Sequence, residues 1–135
     1  MLYLCLPVRL GGYAFPLPDL NPTMNLGKRA ARMLDYETMR CDLHWTKRHV
    51  AIEYDSSEEH LNPRTAAQDA RRANTLRYKD IRLISVTPQM ITDHAQFDGV
   101  ARQLAKALGL RMDSRKLIYS KARRELRGQL FFWLA

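Results

Sequence analysis

Residues 39–55 read Met39-Arg40-Cys41-Asp42-Leu43-His44-Trp45, then Thr46-Lys47-Arg48-His49, then Val50-Ala51-Ile52-Glu53-Tyr54-Asp55. Apolar and polar residues alternate on both sides of the four-residue break, and a period of two marks strands. A connection of that length sets an antiparallel register. Trp45 then faces Val50, Leu43 faces Ile52 and Cys41 faces Tyr54, an apolar pair each time. By parity the other face sets Asp42 opposite Glu53 and Arg40 opposite Asp55. Glu53 and Asp55 are two apart and share a side. Three carboxylates are thus expected within a patch about 5–8 Å across. Like charges so close call for a divalent cation, a basic side chain or solvent to compensate them.

Working outward, Asn62-Pro63 signals a turn, and 64–78 reads as a helix with Ala66, Ala70, Ala73 and Leu76 or Arg77 along one face. Ile81 to Thr87 suits a buried strand. Thr87-Pro88 places a capping hydroxyl before a proline that opens a helical turn. Asp93-His94-Ala95-Gln96 is a capping box. Phe97, Val100, Ala101, Leu104, Ala105 and Leu108 then line one side of a helix stopped by Gly109. Ser114 caps a last helix with Leu117, Ile118, Ala122 and Leu126 inside and a basic outer face. Upstream, Pro7, Pro16, Pro18, Pro22 and Gly11-Gly12 make 7–27 an extended, irregular segment, and 28–36 is a weakly patterned helix. The expected order β-β-α-β-α-α is a mixed α/β domain around one small sheet. Residues 1–38 are expected to wrap a core at 39–110, with 111–135 as a basic helix and an apolar tail.

The chain has 135 residues, 46% of them hydrophobic and 27% charged, which suits one globular domain. It lacks an apolar run of the roughly 18 residues a membrane span needs, and Met1-Leu2-Tyr3-Leu4-Cys5-Leu6 lacks the marks of a secretory signal. Two cysteines, Cys5 and Cys41, make no disulfide framework, so a reducing, cytoplasmic setting is expected. The formal charge is +8 and the isoelectric point about 9.9. Residues 1–63 hold 7 basic and 8 acidic residues, while 64–135 hold 15 and 6. A basic half beside an acidic cluster suits a polyanion such as nucleic acid, and equally a basic domain with no such partner.

Hard cations such as Mg²⁺ take oxygen ligands, keep several waters and need only one or two carboxylates plus a substrate phosphate. Asp42 and Glu53 on adjacent strands meet that description. The alternative is an exposed acidic face with Asp55 paired to Arg40.

Cys41-Asp42-Leu43-x-Trp45, a short turn, Val50-Ala51-Ile52-Glu53-Tyr54-Asp55-Ser56 and a downstream His60 together resemble the PD-(D/E)XK nuclease superfamily. Within it the sequence most resembles the branch of very-short-patch-repair endonucleases and related small bacterial proteins. Asp69-Ala70-Arg71-Arg72 falls where that branch has a D-x-x-R-R helix, and the likeness covers about residues 39–108. It implies a restriction-endonuclease-like mixed sheet flanked by helices, and Mg²⁺- or Mn²⁺-dependent hydrolysis of DNA phosphodiesters. Asp42 and Glu53 would hold the metal. Asp55 would stand at the superfamily's lysine position, and His60 would assist proton transfer. Arg72, with Asp69, would orient the phosphate. Ser56 replaces the commoner glycine, Glu58-Glu59 replace apolar residues, and no lysine occurs in the motif. The upstream helix with its S-P-x-E glutamate has no counterpart in Met1 to Pro7. These departures leave open a protein that binds nucleic acid on this fold without cutting it.

Arg115, Lys116, Arg123, Arg124 and Arg127 form a stripe that is either a solvated helix face or a phosphate-contact surface. His44, His49 and His60 match no zinc spacing, and His44 and His49, flanking the turn, are expected to be exposed. Cys41, Trp45 and Tyr54 suit the core. Leu130, Phe131, Phe132, Trp133 and Leu134 make an apolar tail suited to docking on the core or to self-association.

Overall fold

A computed structural model describes residues 1–34, 37–55, 63–112 and 121–132. The chain divides into two compact units: Pro18–Pro88, and Met1–Leu17 with Gln89–Ala135. Residues 7–27, expected to be irregular, are therefore shared between the units, and two short strands, Asp19–Leu20 and Thr23–Asn25, lie within them because each finds a pairing partner distant in sequence.

The central unit is built on the hairpin. Its strands are β1 (Asp19–Leu20), β2 (Thr23–Asn25), β3 (Thr38–Arg40), β4 (Leu43–Trp45), β5 (Val50–Tyr54) and β6 (Arg82–Val86). Its helices are α2 (Gly27–Leu34) and α3 (Pro63–Tyr78), α1 (Leu2–Cys5) lying in the other unit. The main sheet runs β1-β4-β5-β6, and β2 and β3 form a separate ribbon. Strand β5 lies antiparallel to β4 and parallel to β6, so the sheet is mixed. Parallel neighbours need a long crossover, and α3 supplies it.

Leu43 faces Ile52, His44 faces Ala51 and Trp45 faces Val50, the register expected from the alternation. The turn is a 3-10 turn at Thr46–Arg48, closed by His49 in the left-handed region (φ 53). The hairpin is shorter than the pattern suggested. The ladder stops at Leu43, and Cys41 and Asp42 form a bend between β3 and β4. Arg40 pairs with Thr23 of β2, away from Asp55. The bend turns Cys41 into a cluster with Leu26, Ala30, Met39, Ala51, Leu76 and Ile81, on the side of the sheet that α3 covers. Fully burying a side chain such as Leu76 stabilises by about 1.5–3 kcal/mol. The buried edge of α3 is Thr75 and Leu76, while Ala66 and Ala70 are exposed. Alanine is the best helix former and needs no burial to be there.

From Pro88, the last residue of the central unit, α4 (Pro88–Thr92) leads into α5 (His94–Leu108) of the other unit. The Asp93 side chain accepts from Gln96 N at 2.8 Å, and Gly109 closes α5 in the left-handed region. All six residues of the expected α5 stripe are buried. Helix α1 packs on α6 (Lys121–Leu130). Tyr3, Tyr13, Phe15, Phe97 and Phe131 pack as an aromatic group. Gly11 lets the chain approach α6, since a Cβ there, at φ 92, would strike the Ala122 carbonyl, while a Cβ on Gly12 would strike the Leu6 carbonyl. No helix among the described residues is long and apolar enough to cross a membrane.

Candidate functional site

The acidic end of the hairpin is closed by protein groups. Asp42, in the bend, accepts a 2.7 Å hydrogen bond from Tyr54 N through Oδ2. A side-chain carboxylate thus takes the place of the ladder bond that the bend removed. Glu53, one residue before Tyr54, faces α3. Arg72 donates from Nη2 to Glu53 Oε1 and from Nε to Oε2 at 3.3 Å. The same Nη2 reaches the Arg40 carbonyl. Arg72 therefore ties α3 to β5 and to the end of β3 through a two-pronged pair, the geometry guanidinium prefers. Beside them the Cys41 thiol is pushed up to about 12, by burial first and then by the Glu53 carboxylate. Asp55 follows β5, and its N–H donates to Val86 O at 2.9 Å, one more step of the parallel ladder. Asp69 is exposed on α3. His60 lies outside the described residues.

Asp42 and Glu53 therefore come to one end of β5, with Arg72 as the basic side chain that compensates Glu53. Their oxygen chemistry suits Mg²⁺ or Mn²⁺, but their arrangement does not. Both Glu53 oxygens are held by Arg72, and one Asp42 oxygen is held by Tyr54 N. Among the described residues no three His, Cys, Asp or Glu side chains are gathered so as to hold a metal ion. The residues as placed do not fit a resident cation.

The basic stripe also divides. Arg123 and Arg127 are buried, 2% and 6% exposed, so they are unavailable to phosphates. Arg123 donates to the Gly11 and Gly12 carbonyls at 3.2 Å, stacks 4.0 Å from the Tyr13 ring and lies 3.6 Å from Asp98. Tyr13 in turn donates to Asp98. Arg127 donates to the Ile91 and Thr92 carbonyls and lies over Tyr3 and Phe131. A guanidinium can be buried when carbonyls and aromatic faces replace its water, and composition does not reveal such a role. Arg124 is exposed, and Arg115 and Lys116 lie outside the described residues. Phe131 docks against Tyr3 in its own unit, Phe132 is exposed, and Trp133 and Leu134 lie outside the described residues.

Two sequence readings change with burial. Tyr54 is exposed beside the acidic pair. His44 is 4% exposed, although it flanks the turn. Its Nδ1 lies 3.3 Å from Thr46 Oγ1, which donates to Asp19 Oδ2 at 2.7 Å. With the hydroxyl proton directed to Asp19, the ring is placed to offer Nδ1–H to that oxygen, and burial lowers its pKa from the ordinary 6.5.

Helix α2 carries a feature passed over in the weakly patterned 28–36. Lys28, Arg29 and Arg32 are exposed on one face, and Ala30 is buried on the other. The spacing i, i+1, i+4 already places the three cations together on a helix. Comparison with protein-family models, with curated proteins and with solved structures finds no match for this chain.

Proposed function

We propose that this chain is a nucleic-acid-binding domain of restriction-endonuclease-like type, whose acidic hairpin serves the fold. The observation that carries the reading is the Arg72 clamp on Glu53, which takes both oxygens a hydrolytic metal would need. The charge of +8 supports a polyanionic partner. The exposed Lys28, Arg29 and Arg32 of α2 supply a surface for phosphates. DNA is the expected form of the polyanion.

Fluorescence anisotropy with a DNA duplex, read at several salt concentrations, tests it. Binding should weaken steeply with salt. Replacing Lys28, Arg29 and Arg32 with Gln should flatten the log–log slope by about 2–3, one counterion per lost phosphate contact. Absence of salt-sensitive binding would end this reading.

Metal-dependent hydrolysis of a DNA phosphodiester is the second reading. Asp42 and Glu53 favour it, since both stand by the carboxyl end of β5 in the parallel pair, where open α/β sheets bind ligands. A plasmid-nicking assay with Mg²⁺ or Mn²⁺ separates the two. Nicking by the wild type that Asp42→Ala abolishes supports hydrolysis. Equal nicking by both proteins indicates a contaminant, and no nicking with salt-sensitive binding supports the first reading.

A further inference from the structure

The two edges of the main sheet differ in kind. At one, β1 is two residues long, follows Pro18, and is ended by Asn21 in the left-handed region (φ 46) and by Pro22. Brevity and proline keep a strand edge from pairing with another chain. At the other, β6 runs for five residues, Arg82-Leu83-Ile84-Ser85-Val86, with neither proline nor glycine. Arg82 N donates to His49 O and Asp55 N donates to Val86 O, so residues 82, 84 and 86 carry the ladder to β5. The N–H and C=O groups of Leu83 and Ser85 therefore point away from the sheet, and nothing among the described residues pairs with them. Ser85 is exposed and Leu83 half-buried. Open backbone groups on an uninterrupted strand are a template for another strand.

The helix layer above this edge is shaped to match. Arg72 of α3 meets Glu53 of β5, and Leu76 of α3 belongs to the cluster against which Leu83 of β6 packs. Helix α3 thus stands over the gap between β5 and β6. Its flank toward the open edge carries Ala73, which with Leu76 and Leu83 lines a cleft of about 500 Å³. Ala66 and Ala70 precede Ala73 at helical spacing on the same flank and are exposed. The open edge and the alanine flank form one continuous side of the central unit.

We propose that this side is a dimer interface, in which β6 pairs antiparallel with β6 of a second copy about a two-fold axis at Ile84. Leu83 of each copy then faces Ser85 of the other, and every outward N–H finds an outward carbonyl. Arg82 faces Val86 of the other copy, so the two arginines are kept about 13 Å apart along the seam. A second copy is the occupant for which both layers fit. Strands pair at about 4.8 Å, which sets the two α3 axes about 10 Å apart, the separation at which helices pack. The alanines keep that space clear, and Arg77 at the end of the flank can extend along the facing helix into water. A lone strand from another protein would fill the edge and leave the alanines bare. With α3 from Ala66 to Arg77 stacked on β6, the side is about 20 Å long and about 20 Å high. That is the small end of what specific interfaces bury, about 800 Å² per partner, so association is expected in the micromolar range. The pairing needs no nucleic acid and stands apart from the polyanion reading.

Sedimentation velocity of the full chain across the micromolar range should show a reversible monomer–dimer equilibrium. Amide hydrogen exchange over the same range should show Leu83 and Ser85, whose N–H groups alone in β6 face outward, gaining protection as the dimer forms. Ser85→Pro removes an outward N–H that β5 does not use, and Ala70→Glu puts a charge where the helices meet. Each should weaken the dimer at least tenfold with the circular dichroism spectrum kept. Ala70→Glu, at an exposed helix position, decides the matter should Ser85→Pro fail to fold. Leu20→Lys on the β1 edge and Phe132→Ser in the apolar tail should leave the dimer as it is. A monomer at every concentration, a dimer that survives Ala70→Glu with Leu83 and Ser85 unprotected, or one that Phe132→Ser abolishes would each overturn the proposal.

Discussion

Arg72 of α3 closes on Glu53 of β5 with two guanidinium nitrogens, and the same side chain reaches the Arg40 carbonyl at the end of β3. Both partners are only partly exposed, 29% and 22% at their side chains. One arginine thus joins the crossover helix to the sheet where three backbone segments meet.

Replacing Arg72 with Gln should destabilise the protein by about 1–3 kcal/mol, because it leaves a partly buried carboxylate and a carbonyl without their donor. Glu53→Gln in the same background should recover part of the loss. Urea denaturation of the two single variants and the double variant measures the coupling, expected at about 0.5–3 kcal/mol for groups in contact. Strict additivity would show that the clamp contributes nothing to stability.

Asp42 acts through one acceptor oxygen on Tyr54 N. Asp42→Ala should cost about 1 kcal/mol, the net worth of one hydrogen bond. Asp42→Asn keeps an acceptor and should cost clearly less. Equal losses in denaturant midpoint for the two variants would mean that the charge, and not the hydrogen bond, is what matters.

Arg123 and Arg102 carry the same charge in different settings: Arg123 is 2% exposed, and Arg102 lies on the outer face of α5. Arg123→Met should destabilise by about 3–5 kcal/mol, because it takes the donor from two carbonyls and the cation from beside Asp98. Arg102→Met should stay within about 0.5 kcal/mol. Thermal melts distinguish them. Comparable midpoints for both variants would refute the internal role of Arg123.

His44 gives a pH dependence with a defined sign. Burial lowers its pKa in the fold from the ordinary 6.5. The unfolded chain therefore binds a proton first as pH falls, and stability present above 6.5 declines as pH drops below it toward the lower folded value. Chemical denaturation at pH 7.5 and 5.5 should show a smaller drop for His44→Gln than for the wild type. An unchanged drop would assign the dependence to other groups, such as His94, whose pKa is also lowered, mainly by burial.

How far the sequence reached depends on the range of the interaction concerned. The hairpin register followed from alternation because a slip of one residue would turn Leu43, Trp45, Val50 and Ile52 to the wrong face. The α5 stripe and its cap followed from helical period and local hydrogen bonding. The Lys28-Arg29-x-x-Arg32 face was equally local and equally readable.

Long-range partners were not. Alternation continues through Cys41 and Asp42, but the backbone bends there because β3 pairs with β2 and Tyr54 N bonds the Asp42 carboxylate. No local rule says that Arg72 meets Glu53 across 19 positions, or that Arg123 reaches Gly11 across 112. An arginine has the same charge on a solvated face as inside a cage of carbonyls and rings. Sequence by itself determined the central hairpin and its register, the strand from Arg82 to Val86 and the helix from His94 to Leu108, because those are set by neighbours within a few residues, and it did not show β1 and β2, which exist only through their distant partners. Tertiary structure alone decided which charges stay in water and which are consumed within the fold, because that depends on the groups that packing brings against each side chain.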